Sequence, residues 1–355
     1  MHCLCVIGTR PEAIKMAPVI LALKENDHKV IVGCTGQHDV TSILKMFGLQ
    51  ADIIFECQCR DRGFFLGEAA GNIIGHGKTW KYGTIIAQGD TDTAAAASMA
   101  AFDLRVPFTH IEAGLRTGDM DEPRPEERNR RICAINASIH CAPTETAKEN
   151  LDLENLAGKV YVTGNPIVDA LEFMADRVSA IPREHPGCVL ITMHRRENWD
   201  KIESVARAIS EMSSRYDETF VWVLHPNPEV TRLALDGFVT VGDNFIIHSP
   251  MEYPQFLKLL HSCRLVVSDS GGVQEECCYY KKQLLIMRDK TERPEAIDYG
   301  VAKLVGTDAD HVCEEIEMAL DPPAPDYKLL GPCPFGDGNA ATKIVRAIED
   351  YISRE

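Results

Sequence analysis

One stretch of small and acidic residues, 268–276, has the composition of a turn that binds phosphate. It reads Ser-Asp-Ser-Gly-Gly-Val-Gln-Glu-Glu and follows an apolar run, which predicts a buried strand, a tight turn and a helix. Gly271 and Gly272 would let the backbone approach a ligand, and the unpaired N–H groups of the first helical turn suit a diphosphate. Glu275 and Glu276 follow about one turn later, where a carboxylate can accept both hydroxyls of a ribose. The alternative is a Ser/Asp helix cap whose acids only stabilise the helix.

Three carboxylates in the first half of the chain indicate acid–base chemistry: Asp90, Glu112 and Glu126. Asp90 and Glu112 each come shortly after an apolar run, so one domain can bring them together at the mouth of a sheet. Carboxylates that lie close together hold protons more readily, which allows one of them to act as an acid or a base near neutral pH. For each acid alone, a helix cap or a salt bridge is the alternative, and Asp90 could cap a helix that begins near Thr93.

Basic residues also gather at the ends of apolar runs, although the chain as a whole is acidic. A local concentration of such groups is what a diphosphate ligand requires. The residues are Arg10, His194, Arg195, Arg288 and Arg293, with Lys15 one turn into the first predicted helix. Any one of them could be a solvated surface charge, but their repetition at successive strand ends favours a binding site.

The framework that must position these residues is an alternation of apolar runs and helical segments, in two successive blocks. Strands that are apolar throughout predict a parallel sheet covered by helices on both faces. The predicted strands are 4–7, 30–32, 84–87, 106–111 and 159–162 in the first block, and 188–193, 219–224, 244–247, 264–268, 283–287 and 302–305 in the second. The pattern predicts two α/β domains of similar size, and the last predicted helix, 340–352, could pack on either.

The polar residues fall where such sheets bind ligands, beyond the carboxyl ends of their strands. We therefore expect a cleft between two domains, with acids on the first domain and bases plus the 268–276 turn on the second. No G-x-G-x-x-G follows a strand, so a tightly held dinucleotide is not indicated. The residues alone lead to an enzyme that acts on a diphosphate-bearing, nucleotide-linked substrate by acid–base chemistry, and they leave the reaction open.

The composition of this chain of 355 residues limits the partners, the metal sites and the compartment that we expect for it. Its net charge of −16 argues against a general nucleic-acid binder. No apolar run approaches the roughly 20 residues of a membrane helix, and the first residues lack the features of a signal peptide. The 13 cysteines have no spacing typical of zinc sites, so we expect no metal and interpret most of them as core residues in a reducing compartment. We expect a cytoplasmic protein without nucleic-acid or membrane partners.

Seven motifs resemble those of the non-hydrolysing UDP-N-acetylglucosamine 2-epimerases. They occur in the family's order and span residues 1 to about 350, and several are eight residues long, which makes the resemblance specific. The motifs are GTRPEAIK at 8–15, QGDT at 88–91, HIEAGLRT at 110–117, PEERNR at 125–130, HRREN at 194–198, DSGGVQEE at 269–276 and RDKTERPE at 288–295.

The resemblance implies two Rossmann-like domains that face a central cleft, the glycosyltransferase-B architecture, with the C-terminal helix crossing back to the first domain. The domains would be residues 1–164 plus about 340–355, and 165–339. It implies a homodimer that reversibly converts UDP-N-acetylglucosamine into UDP-N-acetylmannosamine without any cofactor, for surface polysaccharide or glycan synthesis. The C2 proton would be removed while UDP leaves C1, which gives a 2-acetamidoglucal. UDP would then add back, with protonation on the opposite face.

The family's functional residues carry over to matching positions of this sequence. Its catalytic acids fall on Asp90, Glu112 and Glu126, and its other catalytic or charge-stabilising positions fall on Lys15, Arg130 and His194. Its nucleotide contacts fall on Arg10, Phe256, Ser270, Gly271, Gly272 and Glu276. Glu276 would bind the ribose and Phe256 would lie beside uracil, although by pattern alone Phe256 is a core aromatic residue of a helix.

Three other activities remain open beside the plain epimerase. They are 2-epimerisation of another UDP-2-acetamido sugar, a hydrolysing epimerase that releases N-acetylmannosamine, and a glycosyltransferase of the same architecture. The motif at 8–15 favours the non-hydrolysing type, and a glycosyltransferase would leave the three acids without a role. The sequence departs from many bacterial members near Val40 and Gly63, so we do not extend their activation by a second substrate molecule to this chain.

Overall fold

The computed structural model describes residues 1–59, 61–239, 242–321 and 326–354. The chain divides into two compact units, Met1–Phe173 with Phe335–Glu355, and Met174–Pro334. Each unit contains one parallel sheet, so the predicted fold class of two parallel α/β domains is confirmed. The domain boundaries expected after residues 164 and 339 stay a prediction, and Glu355 lies outside the described residues.

The first unit contains a seven-stranded sheet with the strand order β3-β2-β1-β4-β5-β6-β7. Its strands are β1 His2–Ile7, β2 Lys29–Cys34, β3 Ile53–Ile54, β4 Thr84–Gln88, β5 Phe108–Ile111, β6 Ile139–Ala142 and β7 Lys159–Val162. The helices that follow are α1 Arg10–Glu25, α2 Thr41–Met46, α3 Arg62–Thr79, α4 Asp92–Leu104, α5 Glu126–Asn136, α6 Glu145–Glu154 and α7 Pro166–Ala180. The strand order reverses between β1 and β4, which makes their carboxyl ends the expected ligand site of this sheet.

The second unit contains a six-stranded sheet with the strand order β10-β9-β8-β11-β12-β13. Its strands are β8 Val189–Thr192, β9 Phe220–Val223, β10 Phe245–His248, β11 Leu265–Ser268, β12 Gln283–Ile286 and β13 Ala302–Leu304. The helices are α8 Trp199–Ser213, α9 Pro228–Gly237, α10 Tyr253–Ser262, α11 Gly271–Tyr280, α12 Pro294–Asp298 and α13 Ala309–Leu320. Here the order reverses between β8 and β11.

Burial on both faces of the second sheet explains why its strands are apolar throughout. Along β8, Val189 and Ile191 belong to one buried cluster, and Leu190 belongs to the cluster on the opposite face. Along β11, Leu265 and Val267 lie in the first cluster and Val266 in the second. Helices cover both faces, so neither set of side chains can be polar.

The last helix, α14 Ala340–Ile352, belongs to the first unit and packs against α1. Asp169 of α7 fixes its start, because the carboxylate accepts hydrogen bonds from the Ala340 and Ala341 backbone N–H groups at 3.2 and 2.9 Å. The expected return of the C-terminal helix to the first domain is therefore confirmed.

Two short strands, β3 and β6, were not predicted. The helix before β6, α5, ends at Asn136, because Ala137 adopts an extended conformation and the chain continues into β6. The four residues of β6 are Ile-His-Cys-Ala, which have no clear period between two helices, and β3 has only two residues. Within the described ranges, no helix combines the length and the apolar character that crossing a membrane requires.

Candidate active site

The turns that follow β1 and β4 meet where the strand order of the first sheet reverses. Gly8 begins the first turn, and a β-carbon at this position would lie 2.0 Å from Thr93 Oγ1, so the close approach requires glycine. Arg10 follows as the first residue of α1, and its buried Nε has no hydrogen-bond partner in the part of the chain that the structure describes. The predicted residue Arg10 thus lies at the expected ligand site of this sheet.

Glu12 connects these two turns, and the sequence prediction missed it. One carboxylate oxygen accepts the backbone N–H groups of Gly8 and Thr9 at 3.0 and 2.6 Å. The other oxygen accepts the Thr91 hydroxyl at 2.7 Å. The side chain is almost completely buried, and burial raises the pKa of Glu12 to about 7. The spacing of Thr9 and Glu12 matches a capping box, which is the signal that could have identified this residue.

Glu112 follows β5 directly and lies in the left-handed backbone region, with φ of 63°. Its buried carboxylate forms an ion pair with the buried Lys15 ammonium of α1. The same oxygen accepts a hydrogen bond from Asn165 Nδ2 at 2.7 Å. A non-glycine residue with this φ is uncommon, and such conformations concentrate at functional sites. The structure therefore brings the predicted residues Lys15 and Glu112 together.

Asp90 follows β4 and pairs with Arg130 of α5. Arg130 Nε and a terminal nitrogen lie 2.9 and 2.7 Å from the same Asp90 oxygen. A second carboxylate, Glu127, lies 3.1 Å from Arg130 and is completely buried, as the guanidinium nearly is. Since the buried guanidinium is held from two sides, it can fix the direction of the Asp90 carboxylate.

Two of the three acids predicted for acid–base chemistry form ion pairs with cations. Asp90 contacts Arg130 and Glu112 contacts Lys15, so each of these two acids has its own cation. Glu126 is the first residue of α5 and is half-buried. The alternative role of Asp90 as a helix cap is wrong, because α4 begins at Asp92 and the Thr91 hydroxyl accepts the Ala94 N–H at 3.0 Å.

In the second unit, Asp269 organises the turn that carries His194. This fully buried carboxylate accepts the backbone N–H groups of His194 and Arg195 at 3.1 and 2.8 Å, and Asn198 Nδ2 at 3.1 Å. His194 Nδ1 lies 3.6 Å from the carboxylate, and its ring stacks on His225 with 4.9 Å between centroids. Burial lowers the pKa of His194, and the negative charge of Asp269 opposes that shift.

Three arginines surround Glu292 near the start of α11. Glu292 lies 2.9 Å from Arg288, 3.8 Å from Arg195 and in direct ion-pair contact with Arg293. Arg293 Nε also donates to Glu275 at 2.7 Å. Glu275, Glu292, Arg288 and Arg293 are all buried. These contacts hold three guanidinium groups close together, and guanidinium groups in fixed directions are donors that a bound anion can use.

Gly271 places the backbone of α11 against this arginine cluster. A β-carbon at Gly271 would lie 2.8 Å from one nitrogen of Arg293 and 3.0 Å from one of Arg195. The N-terminal N–H groups of α11 and two guanidinium groups therefore converge at one position. Backbone donors at a helix start together with arginines are the usual constituents of a phosphate site.

The remaining residues predicted to bind the nucleotide lie on or near α11. Ser270 precedes the helix, but its hydroxyl caps no helix N–H, and Asp269 binds the His194 turn instead, so the helix-cap alternative fails. Gly272 has open space where a β-carbon would be. Glu276 is buried and accepts the Tyr253 hydroxyl at 2.8 Å. Phe256 of α10 is half-buried and packs against the core.

The two units offer different chemistry. The first supplies carboxylates and an ammonium group that can exchange protons with a substrate, and the second supplies a cationic site for an anion. The described residues contain no group of three or more His, Cys, Asp or Glu side chains placed to hold a metal ion. The prediction gave no role to Glu12, Asn165, Asp269 and Glu292, which support the predicted residues. Glu12, Asp269 and Glu292 lie within the motifs at 8–15, 269–276 and 288–295.

Comparison with known proteins identifies relatives that match along the whole chain. The family model described as UDP-N-acetylglucosamine 2-epimerase matches residues 21–349. The UDP-N-acetylglucosamine 2-epimerase of Escherichia coli (strain K12) is 36% identical, with 99% of each chain covered. That of Neisseria meningitidis serogroup A is 37% identical, with 98% of this chain and 99% of the relative covered.

Solved structures agree with this similarity. UDP-GlcNAc 2-epimerase from Neisseria meningitidis bound to UDP-GlcNAc matches with a TM-score of 0.92 at 35% identity, covering 99% of this chain and 100% of that chain. The Methanocaldococcus jannaschii UDP-GlcNAc 2-epimerase in complex with UDP-GlcNAc and UDP matches with a TM-score of 0.88 at 30% identity, with the same coverage.

Glu12 predicts a pH dependence of stability. Its pKa is about 7 in the folded chain, above the ordinary value of 4.5, so the protonated carboxyl favours folding and this contribution is lost as the pH rises from about 4.5 to about 7. Glu12→Gln should therefore remove a fall of about 2–3 kcal/mol in the free energy of unfolding between pH 5 and pH 8. Urea denaturation of wild type and variant at both pH values measures the difference.

The control is Glu145→Gln, which changes an exposed glutamate in the first turn of α6. It should keep the pH dependence of the wild type. Identical slopes for wild type and Glu12→Gln would mean that Glu12 is already ionised at pH 5.

Proposed function

This chain belongs to the UDP-N-acetylglucosamine 2-epimerase family, and we propose that it interconverts UDP-N-acetylglucosamine and UDP-N-acetylmannosamine without hydrolysing them. The observation that carries the proposal is the presence of two ion pairs near the carboxyl ends of the strands of the first sheet, Lys15–Glu112 and Arg130–Asp90. Together with the arginine cluster at the start of α11, they match the needs of proton transfer beside a departing diphosphate.

The reaction proceeds by elimination and re-addition. A carboxylate removes the C2 proton, the electron pair of that C–H bond forms the C1–C2 double bond, and the C1–O bond breaks, so that UDP leaves. The reverse steps follow with protonation on the opposite face of C2. Two acid–base groups are needed because the proton leaves one face and returns to the other, and we assign them among Asp90, Glu112 and Glu126.

The cations stabilise the charge that develops during these steps. Lys15 and Arg130 hold the Glu112 and Asp90 carboxylates in place and balance their charge. His194 and the arginine cluster stabilise the diphosphate as it leaves C1. This assignment needs no nicotinamide and no metal ion, since the electron pair stays within the substrate.

We assign the nucleotide to the start of α11. Ser270, Gly271 and Gly272 supply backbone N–H groups for the diphosphate, with Arg10 as a further cation. Glu276 accepts the ribose hydroxyls, and the Tyr253 hydroxyl, which donates to Glu276 at 2.8 Å, orients the carboxylate for that role. Phe256 lies beside uracil. The UDP and UDP-GlcNAc complexes of the relatives support a nucleotide-sugar site of this kind.

We place the enzyme in the cytoplasm as a homodimer that supplies precursors for surface polysaccharide or glycan synthesis. Most of its cysteines are buried core residues, a use that fits a reducing compartment. A dimer would cover the large apolar side chains that neighbouring helices of the first unit expose, Met99 and Phe102 on α4 and Ile135 on α5.

The first prediction from this function is that the purified chain converts UDP-N-acetylglucosamine into UDP-N-acetylmannosamine in D2O with no cofactor added. The product should carry deuterium at C2, because the proton returns from a group that exchanges with solvent. Proton NMR follows both sugars during the reaction.

The alternatives give distinct spectra. Free N-acetylmannosamine with UDP would identify a hydrolysing epimerase. An unchanged spectrum would direct the assay to other UDP-2-acetamido sugars and then to a glycosyltransferase that lacks its acceptor.

Variants of the two units should separate turnover from binding. Asp90→Asn should lower kcat by about 10²- to 10⁴-fold, the usual contribution of acid–base catalysis, and leave the Kd for UDP unchanged. Gly271→Ala should raise the Kd for UDP at least about tenfold, because its methyl group meets the arginines. Enzyme kinetics and titration calorimetry measure the two quantities.

The control for the second variant is Gly331→Ala, which adds a methyl group where no atom lies within 4 Å. It should leave the Kd for UDP unchanged. Wild-type turnover by Asp90→Asn would exclude Asp90 as one of the acid–base groups, and wild-type affinity in Gly271→Ala would refute the diphosphate site.

If α4 and α5 form the dimer contact, we expect Phe102→Glu to be monomeric, because the introduced charge would be buried in that contact. Phe102 is 72% exposed, and Leu153 on α6 is 85% exposed, which makes Leu153→Glu the matched control. Sedimentation velocity should show two chains for wild type and the control but one for Phe102→Glu. A dimer in all three would locate the contact elsewhere.

A further inference from the structure

Three consecutive residues of the turn after β4 are each held by a buried side chain from a different element. The Gly89 carbonyl contacts His110 Nε2 of β5 at 2.7 Å, and the Asp90 carbonyl accepts Asn129 Nδ2 of α5 at 3.0 Å. The Thr91 hydroxyl donates to Glu12 of α1 at 2.7 Å. His110, Asn129 and Glu12 are at most 1% exposed. The backbone on both sides of Asp90 is therefore anchored, while its carboxylate contacts Arg130.

The protonation state of His110 follows from its contacts. A carbonyl oxygen can only accept, so Nε2 carries the hydrogen and donates to Gly89. The other ring nitrogen, Nδ1, is buried and has no hydrogen-bond partner within the described ranges. Burial also lowers the pKa of His110 to about 4, which keeps the ring neutral at ordinary pH. A neutral ring that donates one hydrogen bond cannot exchange protons with a substrate at this position.

The hydrogen bond from the His110 ring goes to Gly89, which is the most flexible residue of the turn. Gly89 has φ of 78°, and glycine can adopt many backbone conformations at little cost. Rotation of the peptide between Gly89 and Asp90 would turn the Asp90 side chain away from Arg130. The hydrogen bond to the Gly89 carbonyl fixes that peptide plane. His110 lies on β5 two residues before Glu112, which follows that strand, so the same strand leads to one acid and orients the turn of the other.

We propose that His110 is a positioning residue for Asp90, which acts through the carbonyl of Gly89 and never contacts the substrate. The inference rests on the proposed function in one respect, because it takes Asp90 as a group that transfers a proton. It adds a role that is separate from stability: the neutral imidazole sets the direction of a reacting carboxylate.

The neighbouring strand provides a matched control. His140 of β6 is the register partner of His110, is 1% exposed and contacts the Ala157 carbonyl through Nε2 at 3.0 Å. It makes the same kind of bond in the same sheet, away from the turn after β4. Loss of a buried histidine and its hydrogen bond should therefore lower the Tm similarly at both positions.

The experiment compares His110→Leu, His110→Asn and His110→Gln with His140→Leu in the full-length chain. His110→Leu and His110→Asn should lower kcat about 10²-fold, the effect of moving a catalytic group by about 1 Å, with unchanged KM and unchanged Kd for UDP. His110→Gln should recover most of kcat, because its amide nitrogen can occupy the position of Nε2. His140→Leu should lose Tm but keep kcat.

Two results would overturn the proposal. One is that His110→Leu and His140→Leu have the same kcat. If His110→Leu does not fold, His110→Asn replaces it in this comparison. The other is a kcat in His110→Gln as low as in His110→Asn.

Hydrogen exchange provides a readout that does not depend on activity. The amides of residues 89–91 should exchange faster in His110→Asn than in wild type or His110→Gln, whereas His140→Leu should leave them unchanged. If the wild type epimerises no UDP sugar, the proposed function fails by itself. Unchanged exchange in His110→Asn would then refute the anchoring role of His110 independently.

Discussion

In both units, a buried carboxylate ties together the two turns at which the strand order reverses. Glu12, in the first turn of α1, binds the backbone of Gly8 and Thr9 after β1 and the hydroxyl of Thr91 after β4. Asp269, after β11, binds the backbone of His194 and Arg195 after β8. Parallel strands end in N–H groups that need acceptors, and a carboxylate can satisfy several of them at once. Arg10, Asp90, His194, Arg195 and the start of α11 all lie on or next to turns that these two carboxylates hold.

A second constraint concerns charge. The chain has a net charge of −16, but a site for a diphosphate needs positive charge concentrated at one place. It does so by burying arginines among a smaller number of glutamates. Glu292 contacts three arginines and Glu275 contacts one of them, so the guanidinium groups are held in fixed directions. Without the glutamates, three adjacent guanidinium groups would repel one another and could not remain buried.

Much of the fold could be read from the sequence, because parallel strands buried on both faces are apolar throughout and alternate with helices. The positions of the polar residues at strand ends also located the candidate site. The partners of those residues could not be read, because they come from distant parts of the chain: Lys15 and Glu112 are 97 residues apart, and Arg130 and Asp90 are 40 apart. Short strands such as β6 have no hydrophobic period of their own, so only their pairing with neighbouring strands shows where they lie.

The return of α14 to the first unit has a consequence for how the chain is made. The second unit, Met174–Pro334, is an insertion within the first, which begins at Met1 and needs Phe335–Glu355 to be complete. During synthesis the residues that cover α1 emerge from the ribosome only after the whole second unit. The inserted unit can therefore finish folding before the unit that encloses it in the sequence. Until then, the apolar face of α1 that α14 covers stays exposed to solvent or to chaperones.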